Sequence, residues 1–219
     1  MFAMIPELKG HSAYQIMFTL GLIDLINLSV SGIASGLFSI NGIVFCHYPR
    51  LIFVLGSIGN SFWLGCVYGV SLLSINRSID LLSPHYSKVI FGGNRTWFLL
   101  SISIVIILFT MLGTPPVLFS SYLTAWSFDP YFNYAESNKH FYESVFHSVT
   151  NVIACVSTVT LNALVIIIFM WRISQRSSNS SGTSRVLGIR LLLQSVFMAT
   201  ITFIGSAGYV IMQYVPVPF

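Results

Sequence analysis

Charge is what this sequence has least of. Ten Lys or Arg and six Asp or Glu make up 7% of its 219 residues, against roughly a quarter in a soluble domain. With 55% hydrophobic residues and a mean hydropathy of +0.82, the chain cannot clothe a water-facing surface, and a soluble globular fold is excluded. The formal charge of +4 comes from cations scattered at the ends of apolar runs, so nucleic acid is excluded as a partner. Cysteine is scarcer still by count, with three residues. Cys46, Cys66 and Cys155 cannot all pair, and the last two fall in the middle of apolar runs, so no disulfide framework is encoded. Segments of alternating hydrophobicity are missing too, which removes a β-barrel as the way through lipid. No nucleophile elbow, HExxH or carboxylate pair on adjacent turns occurs in any apolar run. Enzyme activity is therefore not expected, and no cofactor or metal is implied. His140, Glu143 and His147 in HFYESVFH could fall along one helix face as metal ligands, but their spacing is loose and the stretch reads as a plain interfacial loop.

What is present is a series of apolar runs, each long enough for the ~20 residues a spanning helix needs. Five spans are expected, at about 13–38, 51–76, 97–119, 148–171 and 187–213. The expected fold class is all-α, a polytopic membrane helical bundle, with residues 1–219 forming a single transmembrane domain. The first run is too long for the apolar part of a signal peptide and should stay in the bilayer as an anchor. Alternation of five spans puts Lys9, Arg77, Lys88, Arg95, Arg172, Arg176, Arg185 and Arg190 on one side, and only Arg50 and Lys139 on the other. Basic residues collect on the cytoplasmic side, so the N-terminus is expected inside and the C-terminus outside.

Two connections differ in kind. The inner one, Ile173 to Arg185, is rich in serine and arginine and should be a mobile loop. The outer one, Ser120 to His147, carries Tyr122, Trp126, Phe128, Tyr131, Phe132, Tyr134, Phe141, Tyr142 and Phe146. That is too much aromatic surface for water, so it should fold over the bundle mouth or lie in the headgroup belt.

Polar residues at helical spacing mark the faces expected to point inward. They are Asp24, Asn27, Ser31 and Ser35 in the first span, Asn151, Cys155, Thr158 and Asn162 in the fourth, and Ser195, Thr202, Ser206, Tyr209 and Gln213 in the fifth. The third, WFLLSISIVIILFTMLG, is nearly uniform and should sit at the periphery. Gly65 and Gly69 form one GxxxG, read as close helix packing. Asp24 is a carboxylate at mid-depth, where ionisation costs about 2.5 to 3.5 kcal/mol; it is expected buried, either protonated, ion-bound or hydrogen-bonded, with Asn27 as one partner. At the end of the chargeless run Leu51 to Asn76 stand Arg77 and, one helical turn on, Asp80. Arg77 can snorkel to water and pair with Asp80 as a latch.

The segments YQIMFTLGLIDL, NRSIDLL, TPPVLFSSYLTAWSFDP and YVIMQYVPVP resemble, in order and along nearly the whole chain, the nematode class T serpentine receptors. These are a chemoreceptor branch of the seven-helix G-protein-coupled receptors. The resemblance implies that the five spans are receptor helices two to six, with the first and seventh absent from this chain. It implies a heterotrimeric G protein and a small chemical ligand as partners, and the plasma membrane of a sensory cell as location. Asn76-Arg77-Ser78 stands where related receptors carry Asp-Arg-Tyr, so Arg77 would face the G protein, with Asp80 the candidate to replace the missing acid. Asp24, with Asn27, would match the acidic residue of a sodium site. Two features depart from the pattern: the outer loop has no cysteine for Cys46, and FMATITFIGSAGY lacks the Cys-Trp-x-Pro switch. A ligand entering from outside would meet Ser31, Ser35, Asn60, Trp63, Asn151, Tyr209 and Gln213 under the aromatic loop. A chemosensory receptor is thus expected. The rival readings are a small-solute transporter, which would use Asp24 and the polar stripes as a path, and a non-signalling receptor fragment.

Overall fold

Among the described residues proline occurs only at the starts of helices or between them, and the apolar runs are otherwise uninterrupted, so each run closes into a long helix. The structure is a computed structural model that describes residues 11–131, 144–175 and 182–214, without the side chains at 173, 175, 182–188, 190–192, 195 and 212–214. The helices are α1 Ser12–Leu28, α2 Ser35–Ile40, α3 Pro49–Leu82, α4 Pro84–Phe91, α5 Arg95–Gly113, α6 Val145–Gln175 and α7 Gly182–Tyr214. A π-helical segment, Ser29–Ala34, joins α1 to α2. Among the described residues four stretches are long and apolar enough to cross a membrane: Ser12–Ile40, Pro49–Leu82, Arg95–Gly113 and Val145–Arg172. Within α7 the apolar part is the shorter Val196–Ile211. The protein is an all-α polytopic membrane bundle.

Helix ends obey local chemistry. Pro84 holds Ser83 extended, at φ −159° and ψ 113°, so α3 stops at Leu82 and α4 restarts with proline at its first position. This carries the second helix six residues beyond the expected boundary at 76. The third helix is shorter than expected, ending at Gly113 rather than 119, because Pro115 and Pro116 cannot continue it. Leu118–Ser120 instead forms β1, paired antiparallel with β2, Ala125–Ser127, in the register Phe119 opposite Trp126. The expected loop from Ile173 to Arg185 is also shorter: α6 runs to Gln175 and α7 begins at Gly182. The part of that loop between them lies outside the described residues.

The chain divides into two compact units, and single helices contribute segments to both. Unit 1 is Met1–Leu20, Val67–Ser101 and Val152–Gly208; unit 2 is Gly21–Cys66, Ile102–Asn151 and Tyr209–Phe219. In unit 2 the hairpin supplies much of the core. Val117, Leu118, Phe119, Trp126 and Phe128 pack with Val30, Phe38 and Ile52. Phe119 and Trp126 meet edge-to-face with ring centroids 5.6 Å apart, and Phe38 joins Phe119 in the same way at 5.3 Å. The outer connection therefore buries Trp126 and Phe128, leaves Tyr131 half-buried and exposes Tyr122 and Phe146; Phe132, Tyr134, Phe141 and Tyr142 lie outside the described residues. In unit 1, Gly69 lets Leu20 approach α3, and Tyr68 donates to the Leu99 carbonyl at 2.9 Å. The Arg172 guanidinium donates to the carbonyl of Leu82, tying the end of α6 to that of α3.

The polar stripes fare differently. In α6, Asn151, Thr158 and Asn162 are buried, and in α7 Thr202 and Ser206 are buried. Helix α5 buries one face, Thr96, Leu100, Ser103, Ile107 and Thr110, and exposes Phe98, Ile104, Val105, Leu108, Phe109 and Leu112, as a peripheral helix should. The stripe of α1 is not buried: Asp24 and Ser31 are exposed, Asn27 and Ser35 half-buried. Regular spacing presumes an unbroken α-helix. The π segment, closed by the Ser35 backbone N–H donating to the Val30 carbonyl five residues back, adds residues to the turn and rotates the rest of the helix by about 100° per inserted residue. Ser35 and Phe38 thereby turn toward the hairpin, while Asp24 and Ser31 do not.

Candidate functional site

In unit 2 a polar chain is built on α3 and α6. Trp63 Nε1 donates to Asn151 Oδ1 at 3.1 Å, and Asn151 Nδ2 donates to the His147 carbonyl at 3.0 Å. His147 itself is 3% exposed. Its ring lies edge-to-face against Phe128, 5.1 Å away, and against Tyr209, 5.2 Å away. Neither ring nitrogen has a hydrogen-bond partner among the described residues, and neither does Asn60 Oδ1. Buried polar atoms are normally paired, and an unpaired one costs about 1 to 3 kcal/mol. The cluster therefore presents unused hydrogen-bonding capacity inside an aromatic wall, the composition of a small-molecule site.

Of the residues expected to line a ligand pocket, Trp63, Asn151 and Tyr209 are brought together around His147. Ser35 accepts from Trp126 Nε1 at 2.8 Å and belongs to the neighbouring aromatic core. Ser31 is exposed and donates to the Asn27 carbonyl of its own helix, so it is not part of the cluster. The side chain of Gln213 lies outside the described residues. His147 was legible only as a loose metal ligand. Yet it precedes Asn151 by four residues, so extending the α6 stripe by one step would have found it. Its supposed co-ligands His140 and Glu143 lie outside the described residues, and no group of three His, Cys, Asp or Glu side chains converges among those described.

The expected burial of Asp24 is corrected. Its carboxylate is exposed and accepts from Cys66 Sγ at 3.4 Å. No hydrogen bond joins it to Asn27 among the described residues; the Asn27 backbone carbonyl accepts from Ser31 Oγ. All three cysteines are free: Cys46 exposed, Cys66 buried and Cys155 half-buried.

Unit 1 holds the second constellation. Asn76 is buried, and its Nδ2 donates to Ser12 Oγ at 2.9 Å, a pairing across helices that no sequence spacing announces. Arg77 turns toward α1, its Nη2 lying 3.9 Å from Met17 Sδ. Asp80 is exposed and lines a cleft of about 310 Å³ with Ser12, Gln15, Ser87, Lys88 and Phe91. The structure does not bring Arg77 and Asp80 into an ion pair. The proposed latch is open here because the guanidinium packs on α1 while the carboxylate points into the cleft.

A helical membrane chain with an aromatic hairpin, a buried polar cluster and an Asn-Arg-Ser corner can be compared with known families. The family model of the serpentine type 7TM GPCR chemoreceptor Srt matches residues 1–219. The chain belongs to the class T serpentine chemoreceptors. No curated protein and no solved structure matches it. As a class T receptor the chain is a chemosensory, multi-pass membrane protein, and its family is one of receptors rather than enzymes.

Proposed function

We propose that this class T receptor binds a small chemical ligand in unit 2 and passes the signal to a heterotrimeric G protein through the Arg77 end of unit 1. The observation that carries the reading is the Trp63–Asn151–His147 cluster, in which Asn151 and His147 are buried, Trp63 is half-buried and both His147 ring nitrogens are without a partner among the described residues beside Phe128 and Tyr209. In this reading Trp63, Asn151 and Tyr209 form the ligand site with His147 added, and Asn60, three residues before Trp63 in α3, carries a further buried oxygen without a partner among the described residues. Asn76 is held by Ser12, which fixes the base of Arg77, and Asp80 in its cleft offers an acid to compete for the guanidinium. Asp24, exposed and bonded only to Cys66 among the described residues, remains the acid a cation would seek.

Orientation is set by the basic residues. Eight of the ten, Lys9, Arg77, Lys88, Arg95, Arg172, Arg176, Arg185 and Arg190, fall in the segments assigned to the cytoplasmic side, and only Arg50 and Lys139 in those assigned to the other. That division supports an N-terminus inside and a C-terminus outside; membership of a chemoreceptor family supports a location in the plasma membrane of a sensory cell, with 1–219 acting as one transmembrane domain.

The test is ligand-stimulated GTP uptake by a G protein co-reconstituted with the receptor, against a panel of small organic compounds. Asn151→Ala removes the acceptor for Trp63 and should raise the half-maximal concentration of an active compound about tenfold, the equivalent of one hydrogen bond of about 1.4 kcal/mol. Arg77→Ala should leave that concentration unchanged and lower maximal uptake about tenfold, since one charged contact with the G protein is lost. Liposome flux of the compound that ignores Arg77→Ala would instead establish a transporter.

A further inference from the structure

Helix α4 has three faces. Ser87 and Phe91 are buried. Lys88 is exposed on the polar side. The third face leaves Tyr86 63%, Val89 46% and Ile90 41% exposed, three large apolar side chains within one arc of an eight-residue helix. Such a pattern in water is costly, and it is the signature of a helix lying in the plane of a membrane surface.

The connections leave α4 little choice of place. It begins two residues after Leu82, where the apolar span Pro49–Leu82 ends. Its last turn is pinned to the start of the next span, because the Arg95 guanidinium donates to the Val89 carbonyl. Bracketed at both ends by helices that cross the bilayer, α4 must stay at the bilayer edge. Its neighbour continues the theme: Trp97 and Phe98, in the first turn of α5, are exposed aromatics of the kind that sit at headgroup level. The charge of unit 1 is lopsided, with the eight basic residues named above against two acids, Glu7 and Asp80.

We propose that α4 is an interfacial helix seated on a leaflet of anionic lipid. Tyr86, Val89 and Ile90 dip between headgroups and acyl chains, and Lys88 and Arg95 face the headgroup anions. A basic, amphipathic element next to a span draws on both apolar burial and charge, so its depth depends on the anionic lipid content. Because Ser87, Lys88 and Phe91 also line the cleft that holds Asp80, seating α4 fixes one wall of that cleft.

Tryptophan placed on α4 reads its depth directly. The full chain carrying Tyr86→Trp is reconstituted in vesicles of phosphatidylcholine with phosphatidylserine, and the emission added relative to the wild type is quenched with brominated acyl chains or with aqueous iodide. Ile90→Trp is the second variant on the same face, and Lys88→Trp the control on the opposite one. Lipid quenching of the Tyr86→Trp or Ile90→Trp signal should exceed that of Lys88→Trp by about threefold, and should weaken in vesicles of phosphatidylcholine alone. Lys88→Gln in the Tyr86→Trp chain should remove part of that lipid dependence. Quenching of the Tyr86→Trp and Ile90→Trp signals by iodide and not by lipid overturns the proposal and leaves the apolar face for a protein partner. Equal depth in neutral and anionic vesicles overturns the requirement for anionic lipid.

Discussion

Alanine at position 56 is expected to destabilise the receptor by about 3 kcal/mol, the upper part of the range for overpacking a filled core. A Cβ on Gly56 collides with the carbonyl oxygen of Val117 and comes within 3.4 Å of Trp126 Cζ3. Val117 comes directly after Pro115 and Pro116 and leads into β1, so its carbonyl cannot swing aside without moving the hairpin. Gly69 is the natural comparison. There the new Cβ meets Leu20 Cδ2 at 2.6 Å, the end of a side chain that can change rotamer. Gly69→Ala should therefore cost about 1 kcal/mol. Reversible unfolding of the detergent-solubilised chain in sodium dodecyl sulfate, tracked by helical circular dichroism, measures both. An equal loss at the two positions would mean that the hairpin does not rest against α3 at Gly56.

Trp126→Ala should cost about 4 kcal/mol, the amount typical of emptying a buried aromatic site. The indole stands between Phe119 at 5.6 Å and Phe38 at 6.3 Å, and its N–H donates to Ser35 Oγ at 2.8 Å. Removing it leaves a void in the core of unit 2 and strips the hairpin of its cross-strand partner for Phe119. Trp126→Phe keeps most of the ring contacts and loses only the hydrogen bond, for about 1 kcal/mol. The same unfolding measurement separates the two variants. A wild-type midpoint for Trp126→Ala would show that the aromatic connection is a surface ornament and contributes nothing to the core.

How much of this was legible depends on the range of the interaction. Apolar runs and prolines act locally, so the helices, and the break between α3 and α4 at Ser83, arise from the residues themselves. The hairpin was hidden inside an apolar run: Leu118 and Phe119 read as the end of a span until their contacts with Phe38 and Ile52 are known. The α6 stripe worked because that helix is regular, whereas the first-span stripe is split because the π segment Ser29–Ala34 shifts Ser35 out of register with Asp24 and Asn27. Asn76 with Ser12, and Trp63 with Asn151, join residues far apart in sequence, which no spacing rule connects. Arg77 and Asp80 show the converse. Their separation permits an ion pair, but in this structure the guanidinium lies beside Met17 and the two side chains are not joined.

Native Cys46 offers the most direct check on which way the receptor faces. It is exposed, and it lies in unit 2 with the aromatic hairpin, whereas Cys66 is buried and Cys155 is half-buried within a span. A membrane-impermeant maleimide applied to intact cells should label Cys46 at once, and a Lys88→Cys variant should gain a second label only after the membrane is permeabilised. Labelling of Lys88→Cys in intact cells, with Cys46 protected until permeabilisation, would turn the Arg77 end away from any G protein and contradict the proposed signalling route.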